Sequence, residues 1–356
     1  MSADLSKARV VRLNARMFPV TQTERRLHDH YGVRPVEIEA ARPEQIIPQV
    51  QDADAVCVVS AKLPAEVIDS LDRCRLISRI GNGTDRIDVD HATKRGIIVS
   101  NVPDFSTEEM ADHVMAMILT LGRQIPRMAQ HMKTGAFAQA RTESLQLRRL
   151  SSLTLGLVGW GDSAIAVTRR ALACGMRVIA TRRDMTQPSL EADELGVHMV
   201  DLDTLLRGSD FVSLHLPLSA STRGLLSRQR LQRMKQGAFL INASRGDIVD
   251  EDALGELLAS GHLGGAGLDT FGVIEIFGET EAVPTHPVVT AENVIATPHV
   301  SGLSIEASAD VSQGSVGNLV CVLKGHMPHP DQIVNREVVP RLALEPYDPS
   351  LFEPSF

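Results

Sequence analysis

The sequence predicts an α/β protein built on two doubly wound parallel sheets, and three observations carry that expectation. Residues 153–184 read as strand, glycine turn, helix and second strand. The first hundred residues alternate short apolar runs with helical patterns, and the same alternation resumes beyond residue 184. Alternation of this kind favours parallel sheets, because each crossover helix returns the chain to run in the same direction. At 356 residues the chain is long enough for two domains, each burying its own core.

The elements follow in order. Residues 10–13 form a short apolar strand, and 21–31 a polar helix that Gly32 stops. Residues 42–50 are helical, with Pro48 weakening the end. The run at 55–60 is a buried strand, and 64–71 a helix with Pro64 near its first turn. Residues 76–80 and 97–102 supply two further strands. Residues 107–125 give the longest amphipathic helix, in which Met110, Val114, Met117, Ile118 and Leu121 can share one apolar face. That face suits a crossing element and a dimer surface, and equally an ordinary core helix. A second helix follows Pro126 up to residue 137, and 141–152 read as a polar loop.

Residues 153–158 then run as a strand into Gly159-Trp160-Gly161. Gly159 permits a tight turn, Gly161 lets a pyrophosphate approach the backbone, and Ala164 takes the third glycine's place, where only close helix–strand packing is needed. The helix that follows, read over 164–174, offers unpaired N–H groups and a positive dipole end to phosphates, so Trp160, Asp162 and Ser163 join the two glycines as candidate cofactor contacts. An acidic residue expected about 20 residues on would bind the ribose 2′-OH of NAD. Arg182 and Arg183 occupy that place, which suits the 2′-phosphate of NADP and leaves NAD as the second possibility. The alternative is that both arginines are solvated strand-end charges and Asp184 turns back to the ribose. Strands at 197–200, 211–214, 239–241, 267–268 and 294–297 continue the domain, with helices at 203–207, 227–234 and 251–258 between them. A long helix at 304–323 precedes a proline-rich tail that wraps the surface.

Composition excludes several classes. A net charge of −8 argues against a nucleic-acid-binding surface. Cys57, Cys74, Cys174 and Cys321 lack metal spacing and read as mostly buried free thiols in a reducing compartment. No apolar run approaches a membrane span and no signal segment is visible, so a cytoplasmic protein with no membrane partner and no metal is expected.

Loops after strand ends carry the chemistry in such folds. Gly81-Asn82-Gly83 can present backbone amides to a carboxylate, and can equally be a plain tight turn. His215-Leu216-Pro217 follows the strand at 211–214. Arg245 follows Ala243 and Ser244 and could grip a carboxylate with both arms of its fork, or form a surface ion pair. His299 stands at another strand end and can move a proton near neutral pH, whereas most histidines are structural.

The runs GNGTDRIDVDHATKRGIIVSNVP, GLVGWG, FVSLHLPLSASTRGLL, MKQGAFLINASRGDIVDEDAL, AGLDTF and NVIATPHVSG, spanning residues 81–302, resemble the D-isomer-specific 2-hydroxyacid dehydrogenases. That family includes D-3-phosphoglycerate dehydrogenases, D-lactate dehydrogenases and glyoxylate/hydroxypyruvate reductases. The resemblance implies a flavodoxin-like substrate domain of residues 1–106 and 303–340, a Rossmann-type NAD(P) domain of residues 107–302 inserted in it, and a tail of residues 341–356. It implies that Arg245 binds the substrate carboxylate and keto oxygen, that His299 donates the proton, and that Asp269 helps hold the nicotinamide. Ala243 and Ser244 would meet the cofactor, Leu216, Pro217 and Thr222 would line its adenosine and phosphate side, and the Gly81–Gly83 loop would clamp the carboxylate. The family places a glutamate beside the histidine to favour its charged form. Glu275 lies one place late for this, with Ile276 where the family has proline, and Glu279 or Glu281 are alternatives.

The implied reaction is hydride transfer between NAD(P)H and a small 2-keto acid, giving a D-2-hydroxy acid, in a homodimer whose domains close to exclude water. Glyoxylate and hydroxypyruvate are the leading substrates, and a phosphorylated hydroxy acid is open because the side-chain pocket comes from variable loops. A reading from another class is a cofactor-sensing scaffold like the C-terminal-binding proteins, which resemble residues 102–127.

Overall fold

In the computed structural model, which describes residues 5–14, 16, 18–277 and 283–353, strand and helix alternate through two separate sheets. The chain divides into one unit of Met1–Ser106, Phe277–Glu279 and Leu303–Phe356 and another of Thr107–Ile276 and Thr280–Gly302. Among the described residues no helix is long and apolar enough to cross a membrane.

The first unit holds β1 (Val10–Leu13), β2 (Val36–Ile38), β3 (Ala55–Val58), β4 (Leu76–Arg79) and β5 (Ile98–Ser100). They pair in the order β2-β1-β3-β4-β5, and every pair is parallel. The order reverses between β1 and β3, as in flavodoxin-like sheets. β1 and β3 are buried along their whole length, which explains their continuous apolar runs. Arg12 is the exception within β1. Its fully buried guanidinium bonds Glu24 with two arms, at 2.9 and 3.1 Å, and donates to the Phe18 carbonyl at 2.8 Å. β2 was not expected. It is a three-residue edge strand with two exposed side chains, so it has no apolar pattern to read. The helix Pro43–Val50 runs straight through Pro48, because burial of Ile46 and Val50 holds the last turn despite the missing N–H.

The helix Ile305–Leu323 packs on β4 and on the helix Gln22–Tyr31. The tail beyond it is tied to the same unit. Arg341 donates to the carbonyls of Leu71, Asp72 and Arg95, at the C-terminal ends of two short helices where a cation is favoured.

His28 lies in the same core, near Glu24. Burial, then the Arg12 charge, pushes its imidazole down to about 4. The unfolded chain takes up this proton near 6.5, so the stability it represents is complete above that pH and is lost as pH falls toward 4. Between pH 7 and pH 4.5 the native chain should lose on the order of 2–3 kcal/mol more stability than His28→Gln. Urea unfolding at both pH values measures this, and equal losses would rule the effect out.

The second unit holds β6 (Thr154–Val158), β7 (Arg177–Thr181), β8 (His198–Met199), β9 (Phe211–Leu214), β10 (Phe239–Asn242), β11 (Gly265–Leu268) and β12 (Val294–Ala296). Their order is β12-β11-β10-β9-β6-β7-β8, all parallel. The order reverses between β6 and β9, where a doubly wound sheet opens its ligand crevice.

The helix Thr107–Gly122 packs on β10, β11 and the helix Asp162–Ala173 and buries Ala111, Val114, Met115, Met117, Ile118 and Leu121. Met117 crowds Gly267, where a Cβ would meet its side chain at 2.9 Å. Residues 141–152, expected as a loop, are helical over Phe137–Ser144 and turn again at Leu150–Ser152. The cause is a charged cluster invisible to periodicity. Glu143 accepts from Arg127 at 2.8 Å, from Gln139 at 2.9 Å and from His131 at 2.9 Å. The Arg127 bond, then the others, holds its carboxyl down to about 2.

Three of the cysteines are buried, and Cys174 is exposed. Burial pushes Cys57 and Cys74 up to about 12, so neither is a thiolate at neutral pH.

Candidate active site

The glycine turn sits where the second sheet reverses, after β6 and beside the end of β9. Gly159 has φ of 107°, and a Cβ there would run into the His215 carbonyl oxygen. Only glycine satisfies both conditions. Gly161 caps the helix Asp162–Ala173 without any side-chain bond, and a Cβ on it would meet nothing within 4 Å. Thr21, Asp88, Asp201, Asp250 and Ser304 each cap their own helix with a side chain. At Gly161 no side chain caps the first amides of the helix, and the space beside the Gly161 Cα is open. These features fit a pyrophosphate.

Ser163 Oγ lies 3.1 Å from His215 Nδ1, and His215 Nε2 lies 2.9 Å from Ser213 Oγ. Burial pushes the His215 imidazole down to about 4. It is therefore neutral at pH 7 and ties the glycine turn to β9 without adding charge. Asp162 is exposed at the first helical position. Trp160 donates its indole N–H to Ser189 Oγ at 3.0 Å, which pins the loop after β7.

That loop carries the two arginines. Arg182 is half-buried and donates to the carbonyls of Gln187 and Pro188. Arg183 is exposed and donates to Ser221 Oγ at 3.3 Å. Asp184 accepts from the Thr186 amide at 2.9 Å and from its hydroxyl at 2.6 Å. Those Thr186 bonds hold its carboxyl below the usual range. Both bonds fall on Oδ1 of the Asp184 carboxylate.

After β9, Leu216 donates its amide to Ser244 Oγ at 3.3 Å, and Pro217 is exposed. Thr222 is buried, and its hydroxyl closes the loop on the Pro217 carbonyl at 2.7 Å. After β10, Ala243 and Ser244 are buried. Ser244 Oγ donates to the Leu214 carbonyl at 2.6 Å, so the two strand ends are laced together. Asn242 shapes the next turn. Its Oδ1 accepts from the Ser244 amide at 3.0 Å, and its Nδ2 donates to the Arg245 carbonyl at 2.9 Å. Arg245 is half-buried and donates through Nη1 to the Ser244 carbonyl at 2.7 Å. A Cβ on Gly246 would overlap the Phe271–Gly272 peptide, so the chain after Arg245 must be glycine.

Asp269, just past β11, is fully buried and organises the loop that carries His299. Its Oδ1 accepts from Thr297 Oγ1 at 2.6 Å and from the Val300 amide at 2.9 Å, and its Oδ2 from the Ser301 amide at 2.9 Å. Its main-chain oxygen accepts from the His299 amide at 2.9 Å. His299 is half-buried at φ of 57°, a left-handed conformation that non-glycine residues adopt at a cost. Glu275 is exposed on the loop after β11. Buried Glu251 anchors that loop by accepting from the amides of Gly272 and Val273. Glu279 and Glu281 lie outside the described residues.

The first unit carries its own strand-end loop. Gly81 has φ of 135°, and its amide is turned to the Arg79 carbonyl at 3.0 Å. Arg79 folds under the loop and donates to the carbonyls of Ile80 and Gly83. Asn101, at the end of β5, donates to the Asn82 carbonyl at 2.8 Å and steadies it.

Sequence reasoning named the strand-end residues but missed four supports: Asn101, Ser189, Ser213 and His113. His113 Nε2 lies 3.0 Å from Thr297 Oγ1. All four are polar residues within otherwise ordinary elements, and nothing local marks them.

A sequence model of the D-isomer specific 2-hydroxyacid dehydrogenase NAD binding domain matches residues 115–301. The glyoxylate reductase of Korarchaeum cryptofilum is 37% identical over 300 residues, covering 83% of this chain and 86% of its own. The D-lactate dehydrogenase of Aquifex aeolicus, solved with NAD and lactic acid, superposes with a TM-score of 0.81 at 29% identity, covering 91% of this chain and 98% of its own. The NADPH-dependent glyoxylate/hydroxypyruvate reductase of Sinorhizobium meliloti, solved with NADP and malonate, gives 0.77 at 27% identity, with 95% and 100% covered. The fingerprint at Gly159–Gly161, the two doubly wound sheets and these likenesses together place the chain in the D-isomer-specific 2-hydroxyacid dehydrogenase family, as an NAD(P)-dependent oxidoreductase.

Proposed function

We propose that this enzyme is an NADPH-dependent reductase of small 2-keto acids, glyoxylate or hydroxypyruvate first among them, acting as a cytoplasmic homodimer. The observation that carries the cofactor preference is the end of β7. Two cations, Arg182 and Arg183, stand there, and Asp184 beside them takes both Thr186 bonds on Oδ1. A 2′-phosphate suits the paired arginines of that surface.

Gly159, whose amide donates to the Thr181 carbonyl at 2.9 Å, would shape the turn against the pyrophosphate, and Trp160, Gly161, Asp162 and Ser163 would hold it through backbone amides. Arg182 and Arg183 would hold the 2′-phosphate, and Leu216, Pro217, Thr222, Ala243 and Ser244 would line the remainder. The nicotinamide supplies the hydride when bound. Asp269 serves there by fixing the loop that ends on His299. Arg245 grips the carboxylate and the keto oxygen of the substrate, so the carbonyl is oriented and its growing charge is met. His299 gives its proton to that oxygen. Glu275 is assigned as the group that favours the protonated imidazole. In the other unit, the Gly81, Asn82 and Gly83 loop is assigned to a carboxylate oxygen. Exposed Ile125, Met132 and Phe137 on two helices without buried residues offer the apolar face for a second copy.

The test is oxidation of NADPH and NADH, followed by absorbance, with glyoxylate, hydroxypyruvate, pyruvate and a phosphorylated hydroxy acid's keto form. Turnover with NADPH and a small unphosphorylated acid is expected. Replacing Arg182 and Arg183 by Asp and Pro should raise the NADPH KM about 10- to 100-fold, the loss of one to two charge-assisted bonds, and leave the NADH KM nearly unchanged. Equal loss for both cofactors, or turnover with NADH alone, would overturn the NADP assignment and leave the family intact.

A further inference from the structure

We propose that His113 is a positioning residue for His299, acting through Thr297 and Asp269; the inference rests on the reductase reading above. Asp269 is a fully buried carboxylate, and among the described residues no lysine or arginine pairs with it. It takes hydrogen bonds from the Thr297 hydroxyl and the amides of Val300 and Ser301. The Asp269 carbonyl also takes the His299 amide. One residue therefore holds the whole 297–301 turn, and His299 sits within it at φ of 57°.

A hydroxyl has a single proton. Thr297 gives its proton to the Asp269 carboxylate, 2.6 Å away, because a carboxylate can only accept. Toward His113, at 3.0 Å, Thr297 Oγ1 must then accept. Nε2 of His113 therefore carries a hydrogen, and the direction of the chain is fixed: imidazole N–H to hydroxyl, hydroxyl to buried carboxylate. His113 Nε2 itself lies 3.9 Å from Asp269 Oδ1, so any positive charge on the ring also faces that carboxylate.

His113 belongs to the helix Thr107–Gly122, which is packed firmly on β10 and β11. The chain of bonds connects this rigid element to a turn that would otherwise relax from its left-handed residue. Without the imidazole donor, the Thr297 hydroxyl is free to rotate, Asp269 loses a fixed donor, and the His299 ring shifts from its place. A misplacement of about 1 Å at a reacting group can cost about 100-fold in rate.

His113→Phe should lower kcat about 10- to 100-fold while leaving the cofactor dissociation constant, read by Trp160 fluorescence, unchanged. His113→Gln, whose side-chain N–H can reach Thr297, should recover kcat to within a few-fold of the unmodified enzyme. Thr297→Val should slow the enzyme like His113→Phe, and the double variant should be no slower than the slower single one, because both remove the same chain. Losses that multiply in the double variant, a His113→Gln as slow as His113→Phe, or unchanged kcat in His113→Phe would overturn the inference. In the intact protein, ¹⁵N spectra of the His113 ring should show Nε2 protonated; a ring protonated at Nδ1 alone would overturn it too. Turnover of the unmodified enzyme and its dependence on His299 are measured first. A failure of the reductase reading appears there, and a failure of this inference appears only in the His113 and Thr297 variants.

Discussion

Replacing His299 by alanine should lower kcat by about 100- to 10,000-fold, the usual range for a positioned acid or base, and leave cofactor affinity unchanged. The reason lies in how the residue is held. Asp269 fixes the turn through the amides of residues 299–301, so the backbone does not depend on the imidazole. Alanine keeps the Cβ and the same left-handed strain. What it removes is the imidazole. His299→Asn is the companion variant, because asparagine tolerates the left-handed region and keeps a polar side chain without acid–base capacity near neutral pH. Both variants should show equal loss of kcat. Trp160 stands in the glycine turn and is the sole tryptophan, so its fluorescence reports cofactor binding directly. Unchanged turnover in either variant would remove His299 from the proton-donor role. Loss of cofactor binding together with turnover would show that the turn, rather than the acid, had been damaged.

Arg245→Lys should lower kcat/KM by about 100- to 1,000-fold, because an ammonium keeps the charge but cannot bond a carboxylate and a keto oxygen with one planar fork. The surroundings make this a test of the side chain. Asn242 bonds both the Ser244 amide and the Arg245 carbonyl, and Gly246 is forced by the Phe271–Gly272 peptide. The turn therefore keeps its path whichever cation it carries. The loss should fall on both kcat and KM, since the same contact orients the substrate and meets the charge that grows on its oxygen. A change confined to KM would leave Arg245 as a binding group only. Near-normal kcat/KM would give the carboxylate to another cation. Steady-state kinetics across glyoxylate concentrations decides among these.

The elements that the sequence disclosed share a property. β1, β3, β4, β6, β9 and β10 are buried on both faces, so each is a short apolar run bounded by turn residues. β2 is a solvent-facing edge strand with no such run. The helix Phe137–Ser144 buries no residue and exists through the bonds gathered on Glu143. Pattern reading sees burial, and these two elements have little of it.

The candidate site divides along the same line. Gly159, Arg245 and His299 could be named from the sequence because strand ends in a doubly wound sheet point at one crevice, and the residues just past them are fixed by local chain geometry. The local sequence likewise determined the two-sheet fold, the glycine turn and the cations after β7. Only the tertiary structure decided how those residues are held. It turned Asp184 onto Thr186, gave the Gly81 amide to Arg79, and brought His113 to Thr297 across 184 positions of sequence. A buried carboxylate such as Asp269 must collect donors from whatever elements pack around it, and that set is fixed by packing in three dimensions rather than by order along the chain.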